Sequence, residues 1–415
     1  MRIGLFTDTY HPVVNGISFV IDITRQQLEA EGHEVFIFAP KPEITYKESD
    51  DHVFRYPAVK GILWDDDMTS VFFPPREVKR IRELDLDVIH FFTPDQIGLL
   101  GAYAALKNDI PLVAQHSTDI YEYLQYYWNF SGYLKVLLAL PIGSPIVLKS
   151  LTKNWRKILP MIEKDNNAIW KKRITAQFFN ALYEKCDAVV ALSPRTLKQM
   201  QAWDGDFDIT VMPTGVDKLP SSDKDKQELA DELGIKSTDK IVLYAGRLVS
   251  EKNLELLVEA FGYVAEICPD AKLVLAGQGE HKEVLDSLAE DLIEKDRYVF
   301  AGSIPRNKLG SLYEMASLFA FPSNTDTQGL VLNEAANAGL PLVVIDPDVN
   351  SIIQPDKNAL VTTNNPTKFS YACCKILKDD KLADSMSQAS KKIAAKYSAE
   401  NQTKQLLELY EKISR

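Results

Sequence analysis

Short apolar runs punctuate the chain, separated by stretches of helical period. The first half holds RIGLFTD (2–8), HEVFIFAP (33–40), DVIHFF (87–92), PLVAQHS (111–117) and AVVALS (188–193). The second half holds KIVLYAG (240–246), KLVLAG (272–277), YVFAG (298–302), LFAFPS (318–323) and PLVVID (341–346). These runs are largely continuous rather than alternating, so they predict strands buried on both faces. Helical patterns fall between them, at 16–32, 253–267, 280–294 and 306–316. Strands alternating with helices predict an α/β chain of doubly wound, Rossmann-like parallel sheets.

Two series of strands predict two such domains. A chain of 415 residues is also too long for one ordinary core. The break is best placed near MPTGVDKLPSSDKDKQ (212–227), rich in Pro, Gly, Ser and charge. The expected division is 1–215, then 216–392, then a closing segment 393–415 whose helix is expected to pack back on the first domain.

Composition narrows the class. The hydrophobic share of 46% and the charged share of 25% suit a soluble globular protein. No run of apolar residues is long enough to span a bilayer, and Met1–Arg2 leads straight into a strand-like IGLF with no signal-like segment. Cys186, Cys268, Cys373 and Cys374 show no metal-ligand spacing, and the six histidines are scattered. Reduced thiols, a cytosolic setting and no metal are therefore expected. A net charge of −11 argues against a nucleic-acid partner. The charge is uneven, however. Residues 131–185 hold ten Lys/Arg and three Asp/Glu, a local +7, which leaves −18 for the rest.

Ligands of open parallel sheets bind beyond the carboxyl ends of the strands, and several candidates sit there. Gly16 follows the first strand and opens a helix beside Asn15, where backbone amides could meet an anion; a simple loop glycine is the other reading. Arg247 and Lys252, in GRLVSEKN (246–253), could neutralise a diphosphate, or be two solvated surface charges. Gly277, in AGQGE (276–280), would let a nucleotide lie against backbone. The stretch NTDTQGLVLNEAANAGLP (324–341) reads as a loop carrying Asp326, then a helix carrying Glu334 and closed by Gly339. The amides of Gly329, Leu330 and Val331 lie between the two acids. That order suits a ligand with hydroxyls at both ends and an anion in the middle, although acids near a helix N-terminus are also ordinary.

GRLVSEKN, LVLAGQGE and DTQGLVLNEAANAGLP together resemble the C-terminal domain of retaining glycosyltransferases of family 4, which have the GT-B fold. DTYHPVVNGIS (8–18) and HSTDIYEY (116–123) resemble the acceptor domain of the same family, so the likeness spans nearly the whole chain. The resemblance implies two Rossmann-like domains about an interdomain cleft, and glycosyl transfer with retention. It further implies that Arg247 and Lys252 hold the donor diphosphate and that Glu334, the second acid of a Glu-x7-Glu pattern, binds ribose. Asp326 stands where the family usually has glutamate facing the transferred sugar, shorter by one methylene. Gly16 would face the diphosphate, and His116 would sit near the sugar; a lone strand-end histidine is otherwise more often structural. Cations and helix-end amides would stabilise the leaving diphosphate, with no cofactor or metal required.

The basic segment 131–175 bears on the acceptor. It mixes Leu, Ile and Val with Lys149, Lys153, Arg156 and Lys157 around Trp155, and then Lys171, Lys172 and Arg173. Such a mixture suits an interfacial helix on an anionic bilayer, each cation contributing on the order of 1 kcal/mol. A helical excursion packed on the first domain, with solvated charges, is the other reading. The aromatic stretch YEYLQYYWNF (121–130) could line a lipid path or be core. The amino-terminal motifs also resemble bacterial diacylglycerol glucosyltransferases. The expectation is therefore a cytoplasmic enzyme attached peripherally to the membrane, moving glucose from UDP-glucose to 1,2-diacylglycerol. A soluble or polyprenyl-linked acceptor, a nucleotide-sugar epimerase or hydrolase, and a non-catalytic nucleotide-sugar-binding module are the alternatives.

Overall fold

The computed structural model describes residues 1–13, 15–43, 45–60, 68–70, 75–117 and 169–414. The chain divides into two compact units, Met1–Met212 with Gln402–Arg415, and Pro213–Asn401. The first contains β1 (Arg2–Phe6), β2 (Glu34–Pro40), β3 (Val53–Tyr56), the antiparallel pair β4 (Ala58–Lys60) and β5 (Met68–Ser70), β6 (Val88–Phe91), β7 (Leu112–His116), β8 (Ala188–Ala191) and β9 (Ile209–Val211). Seven of these form one parallel sheet in the order β3-β2-β1-β6-β7-β8-β9. The second unit contains β10 (Lys240–Ala245), β11 (Ala271–Ala276), β12 (Tyr298–Gly302), β13 (Leu318–Phe321), β14 (Leu342–Val344) and β15 (Ala359–Val361). They form a six-stranded parallel sheet in the order β12-β11-β10-β13-β14-β15.

All ten runs read as strands are strands. Their continuity has the expected cause: every residue of β6, β7, β8, β11 and β13 is buried, as helices on both faces of a parallel sheet require. Each sheet has its own core. In the first, Phe6 stacks on Phe38 at 4.1 Å between ring centroids, and Phe179 stacks on Trp203 at 5.1 Å. In the second, the helices Leu254–Ile267 and Pro366–Lys378 bury leucine, valine and cysteine faces against β10, β11 and β13.

Both sheets reverse their winding between the first strand and its later neighbour, β1 beside β6 and β10 beside β13. Such a reversal opens a crevice at the carboxyl ends. In the first unit, Asp8 spans that point: its carboxylate accepts from the Thr93 hydroxyl at 2.6 Å and from the amide of Ile97 at 2.6 Å, capping the helix Gln96–Asn108 from another strand's end. The closing helix Ala399–Ile413 contributes Tyr410 to the same unit, fully buried and bonded to Nδ1 of His90 at 2.6 Å. No helix among the described residues is long and apolar enough to cross a membrane.

Candidate functional site

The loops after β10 and β13 meet at the reversal point of the second sheet, and three side chains lace them together. Lys252 donates to Oδ1 of Asp326 at 2.7 Å, the Thr325 hydroxyl donates to the Glu251 carbonyl at 3.0 Å, and the Asn253 amide donates to the Pro322 carbonyl at 3.1 Å. The loop after β11 braces this pair through backbone: the Leu248 amide donates to the Gln278 carbonyl at 2.8 Å, and the His281 amide to the Leu248 carbonyl at 3.0 Å. Gly277 is fixed by that bracing. Its φ is +142°, and a Cβ there would fall 1.8 Å from the Gly246 carbonyl oxygen.

The charges are arranged in pairs. The Lys252 ammonium is largely buried and Asp326 mostly so. Burial pushes the Asp326 carboxyl up, but the Lys252 charge and hydrogen bond, with weaker help from Ser323 and Arg247, hold it below the usual aspartate value. One of the ammonium's three hydrogens goes to Asp326, so the pair leaves lysine donors for an anion. The Arg247 guanidinium, more than half exposed, donates to the fully buried Glu251 carboxylate at 2.6 Å. Glu251 thereby restrains and aims the cation.

Asp326 is followed by Gly329, which has φ +64° and starts the helix Leu330–Ala338. No side chain caps this helix, and its first backbone bond runs from the Leu332 amide to the Gly329 carbonyl. The preceding amides therefore form an anion-attracting end. Glu334 lies just over one turn further along, 5% exposed. Its Oε1 accepts from Arg306 at 2.9 Å and its Oε2 from the Tyr313 hydroxyl at 2.9 Å. Each carboxylate oxygen has a second lone pair for a ligand hydroxyl. Burial, and then the Glu334 charge, push the Tyr313 hydroxyl well above its usual range, so it stays a donor at all ordinary pH.

With this geometry in view, two family models match the chain. Residues 14–140 match Glycosyltransferase Family 4, and residues 225–393 match Glycosyl transferases group 1. The chain belongs to glycosyltransferase family 4. It is 28% identical over 379 residues to an alpha-monoglucosyldiacylglycerol synthase of Acholeplasma laidlawii, covering 88% of this chain and 85% of that one. A synthase of the same name from Streptococcus pneumoniae is 26% identical, over 85% of this chain and 73% of its own length. The fold matches that of Anabaena HepE, solved with UDP and glucose, with a TM-score of 0.70 at 16% identity over 99% of this chain and 100% of that one. That likeness carries the GT-B architecture of this glycosyltransferase.

Of the remaining predicted residues of the glycosyltransferase, Gly16 and His116 belong to the first unit. Gly16 opens its helix in open space, but Asn15 caps that helix: its Oδ1 accepts from the amides of Ile17 and Ser18, both at 3.0 Å. Those two donors are thus already used, which leaves the Gly16 amide alone for an anion. His116 ends β7 with its side chain buried, and its Nε2 has no hydrogen-bond partner among the described residues. It is 1% exposed, edge-on to Phe179, Tyr183 and Trp203, and its Nδ1 is bonded to the Tyr183 hydroxyl at 2.9 Å. Burial lowers its pKa to about 3, so the ring is neutral at pH 7. Lys149, Lys153, Trp155, Arg156, Lys157 and the aromatic stretch 121–130 lie outside the described residues, as do the side chains of Lys171, Lys172 and Arg173. Among the described residues no cluster of three His, Cys, Asp or Glu could hold a metal.

Sequence reasoning missed Glu251, Arg306 and Tyr313. Glu251 had a visible signal, being four residues after Arg247 within GRLVSEKN, a spacing that pairs charges across a turn. Arg306 and Tyr313 reach Glu334 from the helix Arg306–Met315, and nothing in local spacing connects them.

Proposed function

We propose that this glycosyltransferase is a retaining hexosyltransferase that moves glucose from UDP-glucose to 1,2-diacylglycerol at an anionic membrane surface, giving an α-glucosyl lipid. The observation that carries the reading is the junction at the reversal point of the second sheet: the Lys252–Asp326 pair and Arg247 stand beside an uncapped helix end, with Glu334 along the same helix. The printed names of the two synthases support the glucosyl and diacylglycerol parts, and the UDP and glucose held by the HepE structure support the donor class.

In this reading Lys252, Arg247 and the amides of Gly329, Leu330 and Val331 hold the diphosphate, with the Gly277 backbone alongside. Glu334 accepts hydrogen bonds from the ribose hydroxyls, and Asp326 faces the sugar. As the bond from the anomeric carbon to the diphosphate breaks, charge grows on the leaving oxygen. Lysine, arginine and helix-end amides are already oriented toward it, and such preorganised donors are worth about 2.7–4 kcal/mol each in other enzymes. No metal is needed for that role. The Lys/Arg residues of segment 131–175 supply the membrane attachment.

The test is an incubation of the protein with diacylglycerol vesicles and UDP-glucose, with and without anionic lipid. The reading predicts a glucosyl lipid of α configuration, formed faster on anionic vesicles. Turnover confined to a soluble acceptor, or use of a GDP-sugar in place of UDP-glucose, contradicts it.

A further inference from the structure

The loop that carries Asp326 is fastened on its other side by a contact that donor binding does not require. Gln328 is 2% exposed, and its side-chain amide meets the backbone of Thr214 twice. Its Oε1 accepts from the Thr214 amide at 2.9 Å, and its Nε2 donates to the Thr214 carbonyl at 2.9 Å. Two complementary bonds to one residue leave no ambiguity in the orientation of the side chain. Thr214 is itself 2% exposed, so no water replaces a broken bond there without rearrangement.

Thr214 belongs to 213–217, where the chain enters the second unit after Met212. Asn337, on the Glu334 helix, holds the same stretch by donating to the Val216 carbonyl at 2.7 Å. The chain leaves the second unit near 397–401, and the two connecting stretches touch. The Val216 amide donates to the Tyr397 carbonyl at 3.0 Å, and the Ala399 amide donates to the Asp217 carboxylate at 3.1 Å. A Cβ on Gly215 would lie 2.2 Å from the Ser398 carbonyl oxygen, so only glycine permits this approach.

We propose that Gln328 is a positioning residue that transmits occupancy of the donor site to the connecting stretches 213–217 and 397–399. The proposal rests on the donor reading given above. Gln328 sits two residues after Asp326 and one before Gly329, so a diphosphate drawn to Lys252 and the helix end restrains the backbone on both sides of it. Its doubly bonded, buried amide then passes that restraint to Thr214. The linkage is reciprocal: a change in position at Thr214 alters donor affinity by the same factor.

Hydrogen exchange on the full chain, with UDP as the probe, tests this in the natural protein, Gln328→Met and Gln328→Glu. Methionine keeps the length and neither donates nor accepts. A glutamate side chain reproduces both bonds only when protonated, its hydroxyl donating to the Thr214 carbonyl. In the natural protein UDP slows exchange at 326–331 and 213–217 together. In Gln328→Met it still slows exchange at 326–331 but no longer at 213–217. In Gln328→Glu the UDP-induced protection of 213–217 returns as pH is lowered from about 8 to about 5, where a buried carboxyl takes up its proton. A glutamine with a merely structural role would change baseline exchange and leave the UDP-induced difference intact. UDP protection of 213–217 that persists in Gln328→Met, or is missing from the natural protein while 326–331 is protected, overturns the coupling. Protection of neither stretch in any of the three proteins overturns the donor assignment and the coupling with it.

Discussion

Lys252 and Asp326 are each out of place alone, since a largely buried charge is tolerated only when paired. Removing one partner therefore exposes the other. Lys252→Met is expected to lose about 3–5 kcal/mol of stability at neutral pH, the usual result of breaking a buried pair. The pH dependence has a definite sign. In the natural protein the Asp326 carboxyl sits below its ordinary value, so its contribution is present above that ordinary value and is lost as pH falls through the lowered one. In Lys252→Met, burial acts against a weaker opposition and raises the carboxyl, which takes up a proton at milder acidity. The stability gap between the two proteins should narrow toward acid, as read from denaturant midpoints across pH. A gap that is constant or widens in acid would show that the pair is not the origin of the loss. At this scale the sequence was half legible. Arg247, Lys252 and Asp326 announce themselves in the segments that follow strands, and Glu334 on the helix that follows the Asp326 loop. Tyr313 and Arg306 do not, because side chains that converge through tertiary packing leave no spacing to read.

Elements were legible in proportion to their length and apolarity. The helix at Gly16 and the one at Leu254 follow their periodic patterns closely, ending two residues before the pattern's end in the first case and starting one residue late in the second. The strands β3, β9 and β15 were not anticipated. Each has three or four residues, β3 reads VFRY with an arginine inside it, and only a neighbouring strand's register recruits it. The closing helix illustrates the same dependence on context. Its buried anchor is Tyr410 on His90, and burial keeps the imidazole neutral by lowering its pKa to about 3. Tyr410→Phe leaves that nitrogen buried without its partner and should cost about 1–3 kcal/mol, with little change between pH 5 and 8, in chemical denaturation of the natural protein and the variant. A cost below the error of the measurement would mean that apolar packing alone holds the helix.

At the scale of the whole molecule, each unit has a separate core and a separate sheet. Unfolding should therefore proceed in more than one step, visible as non-coincident transitions by different probes. UDP should raise only the transition of the second unit, by about 2.7 kcal/mol at a hundredfold excess over the dissociation constant. An equal shift of both transitions would contradict a donor site built from the second unit's loops alone. The doubly wound class and the two series of strands were plain in the sequence because continuous apolar runs admit few other architectures. The basic segment 131–175 stands out in the sequence as a charge anomaly, and its residues 131–168 lie outside the described residues.

The central claim is that the loops after β10 and β13, with the helix that carries Glu334, hold a nucleotide-sugar donor. Calorimetric titration of UDP-glucose into the natural protein and Glu334→Ala tests it most directly. The account predicts binding by the natural protein and a loss of about 1.5–3 kcal/mol in the variant, the worth of hydrogen bonds to a charged group. Equal affinity in the two proteins, with the variant folded, would contradict it.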